Sequence, residues 1–200
     1  IITSGGNVTI KGEGAATSVS TWVSGYFNRG GTISTGIGNI SIDGKVADDF
    51  TANNVGRAVH LRENALISTT DGTISITGTV SNTHGGWYNG IFFYDAIVQT
   101  APSDPTKGNI ILTGTASGTN ADSGIEFYTG STTNKVVSNG DGDITITATS
   151  GTGASLQYSI NGGIDFFPTS VFTGLSGGTY EIVVQYADGT CEVQGQTTVL

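Results

Sequence analysis

A five-residue pattern of glycine followed by alternating polar and apolar residues recurs at nearly constant spacing along most of the chain. The pattern is Gly-x-apolar-x-apolar, and it begins at Gly6, Gly38, Gly72, Gly108 and Gly142. Successive glycines lie 32, 34, 36 and 34 residues apart. Alternation with a period of two is typical of a β-strand with one buried face. Self-similarity at this spacing is typical of stacked repeats, so we expect one structural unit to lie on top of the next.

Two further short strands are predicted in each unit. The second strand covers residues 25–28, 59–62, 91–94 and 125–128, and the third covers residues 32–35, 66–69, 97–100 and 135–138. Three strands per turn of about 34 residues predict a parallel β-solenoid, or β-helix, whose turns pair at a spacing of about 4.8 Å. The composition agrees, because 32 glycines and a charged fraction of only 12% favour strands and tight turns over helices.

Stacking the units in register predicts which side chains face the interior. Two inward columns come from the first strand: Val8, Ile40, Ile74, Ile110, Ile144 and then Ile10, Ile42, Ile76, Leu112, Ile146. A third comes from the second strand: Phe27, Leu61, Phe93, Phe127. A column of small residues follows: Gly12, Gly44, Gly78, Gly114, Ala148. Small residues there predict a corner with positive φ or a close approach of two backbones. On the outer face, Lys11 falls over Asp43 and Glu13 over Lys45, which are favourable neighbours.

The 34-residue pattern stops after Thr149. Short strands follow, with a hairpin signal at Asn161–Gly162 and a break at Gly177–Gly178. We therefore predict two domains, a β-solenoid over residues 1–141 and a small β-sandwich over residues 142–200. The strand at residues 142–148 fits either part. If both parts share it, it would cover the open end of the solenoid.

The last quarter of the chain contains four spaced motifs: Tyr158-Ser-Ile-Asn-Gly-Gly, Val171-Phe-Thr-Gly-Leu, Gly178-Thr-Tyr and Asp188-Gly-Thr-Cys191. Together they closely resemble the SprB-type repeat of Bacteroidota gliding-motility and surface adhesins. Thr190 departs from the family pattern, which often has glycine directly before the cysteine. The resemblance covers roughly residues 142–200, and it implies an immunoglobulin-like module, type IX secretion and a role in adhesion at the cell surface. The preceding part is similar in style to β-helical segments of very large bacterial adhesins.

Charge and hydropathy exclude some partners. The net charge of −9 argues against nucleic acid, whose phosphates would be repelled. No apolar run approaches the roughly 20 residues that span a bilayer, so no membrane insertion is expected.

The chain begins Ile1-Ile2-Thr3, and we expect it to be a segment of a longer protein. Cys191 is the only cysteine. It is either a small buried side chain or the partner of a cysteine in a neighbouring repeat of the same polypeptide.

Catalysis is not predicted. A glycosidase needs two carboxylates about 5–10 Å apart, and the best pair is Glu63 and Asp95, at equivalent positions on adjacent turns. Arg62 beside Glu63 is the only hint of a lyase base. No acidic or basic cluster extends along the stack, which speaks against an enzyme. A β-helix polysaccharide lyase or hydrolase is therefore only the alternative interpretation.

No cofactor or metal site is predicted either. His60 and His84 have no partners at zinc-binding spacing. The candidates for a calcium ion are Asp48–Asp49 and Asp141–Asp143, where carboxylates are close together in the sequence without a full ligand loop.

Aromatic residues carry the binding hypothesis. The predicted outward columns of the second strand are Tyr26, His60, Phe92, Glu126 and Asn28, Arg62, Tyr94, Tyr128, and the preceding loops add Trp22, Phe50, Trp87 and Tyr88. Aromatic faces flanked by polar groups suit sugar rings, and loops on rigid scaffolds often bind ligands. The predicted ligand-binding residues are Trp87, Tyr88, Phe92, Tyr94, Tyr128, Tyr26 and Arg62. The chain is thus predicted to be a structural and binding segment of a secreted adhesin that contacts surface glycans. The competing interpretation is an aromatic ladder that only stabilises a stalk.

Overall fold

The structure is a computed structural model that describes residues 1–14, 22–46, 55–81, 87–102, 107–117, 123–128, 134–139, 142–149, 156–176, 178–187 and 193–199. All sixteen regular elements in these ranges are strands. The described residues accordingly contain no helix that is long and apolar enough to cross a membrane. The strands are β1 (Ile2–Thr3), β2 (Val8–Gly14), β3 (Trp22–Arg29), β4 (Thr32–Thr35), β5 (Ile40–Val46), β6 (Val55–Thr69), β7 (Ile74–Ser81), β8 (Trp87–Thr100), β9 (Ile110–Ser117), β10 (Ser123–Phe127), β11 (Lys135–Ser138), β12 (Ile144–Thr149), β13 (Leu156–Ser159), β14 (Val171–Phe172), β15 (Gly178–Tyr186) and β16 (Val193–Val199).

The strands form two sheets that enclose the core. Sheet 1 contains β2, β5, β7, β9 and β12 in parallel, with β14 antiparallel to β12 at its edge. Sheet 2 contains β1, β4, β6, β8 and β11, with β3 beside β6 and β10 beside β8, all parallel. The chain passes from sheet 1 to sheet 2 and back in each repeat. It is a parallel β-solenoid, as the repeat predicts.

The register predicted for sheet 1 is confirmed. Ile40 pairs with Val8 below and Ile74 above, and the same alignment continues to Ile110 and Ile144. The second apolar column aligns in the same way, and both columns lie in the main hydrophobic core. The predicted alignments of Lys11 with Asp43 and of Glu13 with Lys45 are also present.

The second and third predicted strands are continuous in two of the turns. β6 runs for 15 residues and β8 for 14, and each bends through residues with left-handed backbone. The φ angles are 54° at Glu63, 67° at Asn64 and 57° at Asp95. The register shifts between Arg62 and Ala65, because β6 has one residue more than β8 at this bend. Glu63 and Asp95 are therefore not directly paired.

The column of small residues marks a close approach of the two sheets. A Cβ atom at Gly78 would lie 1.9 Å from the carbonyl oxygen of Gly90, and one at Gly44 would lie 2.1 Å from that of Ala58. Such distances leave no room for a side chain. This confirms a close backbone approach at the column.

This contact divides the interior into two cores. The main core holds the isoleucine columns together with residues of sheet 2. A second, smaller core lies on the other side of the contact and consists of Val46, Ala58, Val80, Tyr88 and Ala116.

The register predicted for the first turn of sheet 2 is wrong by one residue. Phe27 pairs with His60, and Asn28 pairs with Leu61. Phe27 is consequently 51% exposed, and Asn28 points inward and is 7% exposed. The physical reason is Gly25, whose Cβ would lie 2.4 Å from the backbone nitrogen of Lys45. Gly25 must therefore occupy the close-approach position, and a one-residue shift exchanges the faces of the side chains that follow.

Side-chain hydrogen bonds also hold the stack together along its axis. The side-chain oxygen of Asn7 accepts a hydrogen bond from the backbone nitrogen of Asn39 at 2.8 Å, and Asn39 accepts one from Thr73 at 2.8 Å. At the ends of the paired strands β4 and β6, the hydroxyls of Thr35 and Thr69 both donate to the carbonyl of Gly38. These bonds give a physical role to the Gly-Asn pairs and to Thr35 and Thr69, which end the third strand of the first two turns.

The C-terminal strands extend both sheets of the solenoid. β12 pairs in parallel with β9 and antiparallel with β14, so this strand is shared by the two parts of the chain. β16 pairs in parallel with β11, and β15 and β13 follow in antiparallel order. The division into two domains and the immunoglobulin-like assignment of the second stay predictions. Cys191 lies outside the described residues.

Candidate functional site

The outward-facing side chains of β3, β6, β8 and β10, together with Tyr128, form one surface, here called the outer wall. Sheet register arranges most of them in three columns that run along the solenoid axis. The columns are Ser24, Arg57, Asn89, Ser123, then Phe27, His60, Phe92, Glu126, and then Arg29, Arg62, Tyr94, Tyr128. Tyr128 continues the third column, because its backbone nitrogen donates to Phe93 as the ladder requires.

The outer wall is concave between its first two columns. At Ala58 and Gly90, which separate these columns, the strands approach the glycines of sheet 1 most closely. On both sides of this line the sheets are held apart by core side chains. The wall therefore bends inward along this line, and side chains of the first two columns meet across it. This line, which runs parallel to the solenoid axis, is here called the groove.

Arg57, His60 and Phe92 fill this groove. The Cζ atom of Arg57 lies 3.5 Å from the centroid of the Phe92 ring, a cation–π distance. The Nη1 atom of Arg57 lies 3.3 Å from Nε2 of His60. The His60 ring also meets the Phe27 ring at 4.8 Å and the Phe92 ring edge-on at 5.2 Å. His60 and Phe92 are only 3% and 4% exposed, so the outward face is closely packed here.

His60 is held in its neutral form. Because the arginine can only donate, Nε2 of His60 accepts the hydrogen bond and carries no proton. Burial, followed by the charges of Arg57 and Arg62, lowers the His60 pKa to about 3. Burial likewise lowers the Arg57 pKa to about 10, where the side chain is still charged at neutral pH.

Asn89 connects Arg57 to Glu126. Its side-chain oxygen accepts a hydrogen bond from Nε of Arg57 at 3.3 Å, and its side-chain nitrogen donates to Oε2 of Glu126 at 2.6 Å. Burial raises the pKa of Glu126, while the bond from Asn89 and the charge of Arg57 oppose that rise. A half-buried carboxyl group with a raised pKa is thus fixed at the end of the groove.

A more exposed aromatic group lies beside the groove. The rings of Tyr94 and Tyr128 meet edge-on at 5.2 Å, and Tyr128 meets Phe92 at 5.9 Å. The Cζ atom of Arg62 lies 5.4 Å from the Tyr94 centroid. Tyr128 is 44% exposed. Tyr94 and Arg62 are partly exposed, so these three side chains present apolar ring surface and a cation to solvent.

The corner beside this group carries an ion-pair cluster. Glu63 bonds to Nε of Arg29 and, at 2.5 Å, to Nη2 of Arg62. The hydrogen bond from Arg29, together with the charges of both arginines, lowers the pKa of Glu63. Glu63 is therefore an ionised partner of the arginines, and the register shift separates it from direct pairing with Asp95.

Four of the seven predicted ligand-binding residues meet in one cluster: Phe92, Tyr94, Tyr128 and Arg62. Trp87 is 67% exposed and begins β8. The predicted positions of two residues, an exposed loop for Tyr88 and the outward face for Tyr26, are wrong. Tyr88 is completely buried in the second core, because β8 begins before it and alternation turns it inward. Tyr26 packs against the main core, because of the register shift at Gly25. Phe50, His84 and the side chain of Trp22 lie outside the described residues.

Arg57 and Asn89 are central to the groove and were missed in the sequence. The predicted second strand begins only at residues 59 and 91, yet β6 and β8 begin at Val55 and Trp87. The available signal was the small residue at positions 58 and 90, which corresponds to the close approach on the other sheet.

An apolar cavity between β12 and the C-terminal strands is lined by apolar side chains and Ser170. It contains too few polar groups to orient a ligand.

No metal centre is formed by the described residues, among which no three His, Cys, Asp or Glu side chains are grouped to hold an ion. The calcium candidates Asp48, Asp49 and Asp141 lie outside those residues, and Asp143 is exposed.

Comparison with protein families, with curated proteins and with solved structures finds no match for this chain. The SprB-type resemblance of the C-terminal part therefore stays a prediction.

Proposed function

We propose that the chain is a structural and binding segment of a large secreted bacterial cell-surface adhesin, and that its outer wall contacts glycans. The observation that carries the proposal is the cluster of Phe92, Tyr94, Tyr128 and Arg62. These side chains project from parallel strands whose backbones are fixed by the solenoid ladder. A sugar presents apolar C–H faces and hydroxyl edges, and this cluster offers ring faces beside charged and amide groups.

Rigidity supports binding at this surface. The ring contacts and the bonds from Arg57 to Asn89 and His60 hold the wall in one arrangement before any ligand arrives. A preorganised site loses little conformational entropy on binding. The repeat of the wall along the axis also suits a polymer, because neighbouring sugar residues can contact neighbouring turns.

The adhesin assignment and the cell-surface location are supported by the SprB-type motifs between Tyr158 and Cys191. A solenoid of this kind would hold its binding surface away from the cell as a stiff spacer. Neighbouring repeats of the same polypeptide are its expected partners within the adhesin.

A carbohydrate-active enzyme is the second candidate, and one observation favours it. The raised pKa of Glu126 in a groove is a property of general acids. A hydrolase would need a second carboxylate across the sugar from Glu126, and Glu63 is instead engaged by two arginines. Turnover of a polysaccharide that is lost in Glu126→Gln would establish catalysis.

The proposal predicts that the protein binds immobilised glycans and that Tyr128→Ala weakens this binding about tenfold, which corresponds to about 1.4 kcal/mol. Loss of an exposed ring removes contact area from the ligand. The measurement is a glycan array followed by titration of the best ligand.

Phe167→Ala is the matched control, because Phe167 is 45% exposed on the C-terminal part and should leave binding unchanged. Absence of binding to any glycan by the intact protein would contradict the proposal and favour a stalk without ligand.

A further inference from the structure

The arginines of this chain are confined to one surface. The sequence contains three arginines, Arg29, Arg57 and Arg62, and all three belong to the outer wall. Lysines occur elsewhere: Lys11 and Lys45 lie on sheet 1, and Lys135 lies on β11. In a chain with a net charge of −9, this distribution concentrates guanidinium groups beside the aromatic cluster.

Arginine and lysine differ in what they recognise. The guanidinium group is a planar fork of donors that matches a carboxylate, and it also stacks on aromatic rings. Both interactions are present on the wall. Arg57 lies over Phe92 and Arg62 lies near Tyr94, and the carboxylate of Glu63 is bound by Arg29 and Arg62. The wall thus already contains one bound carboxylate, supplied by the protein itself.

Arg62 is the arginine best placed to meet a ligand beside the exposed rings. Its side chain is 27% exposed, it bonds to Glu63 through Nη2, and its guanidinium group lies beside Tyr94. Tyr94 in turn contacts the more exposed Tyr128. A sugar ring resting on Tyr128 and Tyr94 would bring its ring substituents next to Arg62.

The overall negative charge does not prevent an anionic ligand from binding there. At physiological ionic strength charges are screened over about 8 Å, so the nearest groups dominate. The nearest groups are the three arginines Arg62, Arg57 and Arg29, against two carboxyl groups, Glu63 and Glu126. A single carboxylate near Arg62 gains a charge-assisted hydrogen bond, which is roughly twice as strong as a neutral one.

We propose that the outer wall binds saccharides that carry a carboxylate, with the sugar ring on Tyr94 and Tyr128 and the carboxylate on Arg62. The inference rests on the proposed glycan binding and specifies the chemical class of the ligand. Neutral sugars would lack the contact to Arg62, and the wall would discriminate between the two classes by that one interaction.

The test compares polyuronates with their neutral methyl esters. Binding of polygalacturonate and alginate, and of the fully methyl-esterified form of each, is measured for the intact chain and for Arg62→Gln, Arg62→Lys and Lys45→Gln. Lys45→Gln removes the same charge from sheet 1 and serves as the control for net charge. Dextran sulfate is included as an anionic polymer without carboxylates, and thermal unfolding verifies that each variant is folded.

We expect at least tenfold tighter binding of one or both polyuronates than of the corresponding ester. Arg62→Gln should remove this preference, Arg62→Lys should retain part of it, and Lys45→Gln should leave it intact. Equal binding of acid and ester, or a preference unchanged by Arg62→Gln, would overturn the carboxylate inference while glycan binding stands. Stronger binding of dextran sulfate than of either polyuronate would also overturn it. No binding to these polymers or to any arrayed glycan would remove the proposed function as well.

Discussion

Gly78→Ala should lower the stability of the protein more than alanine at any other described glycine. The new Cβ atom would lie 1.9 Å from the carbonyl oxygen of Gly90 and 2.5 Å from its carbonyl carbon. Both are backbone atoms that cannot rotate away, so the two sheets must separate locally. Overpacking in a core costs about 1–3 kcal/mol, and we expect the upper end of that range. The melting temperature of a chain of this size would fall by roughly 6–12 °C.

Gly6→Ala is the matched control. Gly6 begins the first Gly-x-apolar pattern, yet no atom lies within 4 Å of the Cβ it would acquire. Its substitution should change stability by less than about 0.5 kcal/mol. Equal melting temperatures for Gly78→Ala and the unmodified chain would refute the close approach of the sheets.

Acid should destabilise the protein through His60. Its pKa is about 3 when folded, against an ordinary value of 6.5. Between these values the unfolded chain takes up a proton that the folded chain does not. The contribution of neutral His60 is thus fully present above pH 6.5 and is lost as the pH falls toward 3. Linkage gives a loss of about 2 kcal/mol between pH 7 and pH 5, measurable as a lower urea midpoint.

His60→Gln isolates this effect, because glutamine can still accept a bond from Arg57 but does not titrate in this range. Glu126 acts in the opposite sense. Because its pKa is raised in the folded state, a fall in pH through the range just above 4.5, the ordinary pKa of glutamate, stabilises the folded protein. That contribution is present in both proteins, so their difference reports His60. The same loss of stability at pH 5 in both proteins would show that His60 is not buried as described.

The five parallel strands of sheet 1 could be predicted from the sequence, for a physical reason, whereas the antiparallel strand β14 at its edge could not. The parallel strands are straight, they repeat one alternating pattern, and each begins after a glycine at nearly constant spacing. Agreement between separate columns, such as Ile42 with Ile76 and Lys11 with Asp43, fixed the register. The small-residue column predicts either positive φ or a close approach of two backbones, and the structure has the close approach.

Sheet 2 was predicted only in part, because its strands bend. At Ala58 and Gly90 the alternation is interrupted, so the residues before the bend do not follow the pattern after it. Nothing in the sequence distinguishes Gly25 from other strand residues, because its close approach to the backbones of Gly12 and Lys45 is a tertiary contact. Tyr88 and Trp87 are neighbours in sequence, yet the position of the strand start decides that one is buried and the other exposed. The groove depends on contacts between columns, such as Asn89 with Glu126, that no spacing in the sequence encodes.

Oxidative footprinting read by mass spectrometry tests most directly whether the outer wall is the binding surface. Labelling of Tyr94, Tyr128 and Trp87 would be compared with and without the tightest-binding arrayed glycan, with Tyr180 on the C-terminal part as the internal reference. The account predicts that bound glycan lowers labelling of Tyr94 and Tyr128 severalfold and leaves Tyr180 unchanged. Unchanged labelling of the wall under saturating glycan, or protection confined to Tyr180, would contradict it.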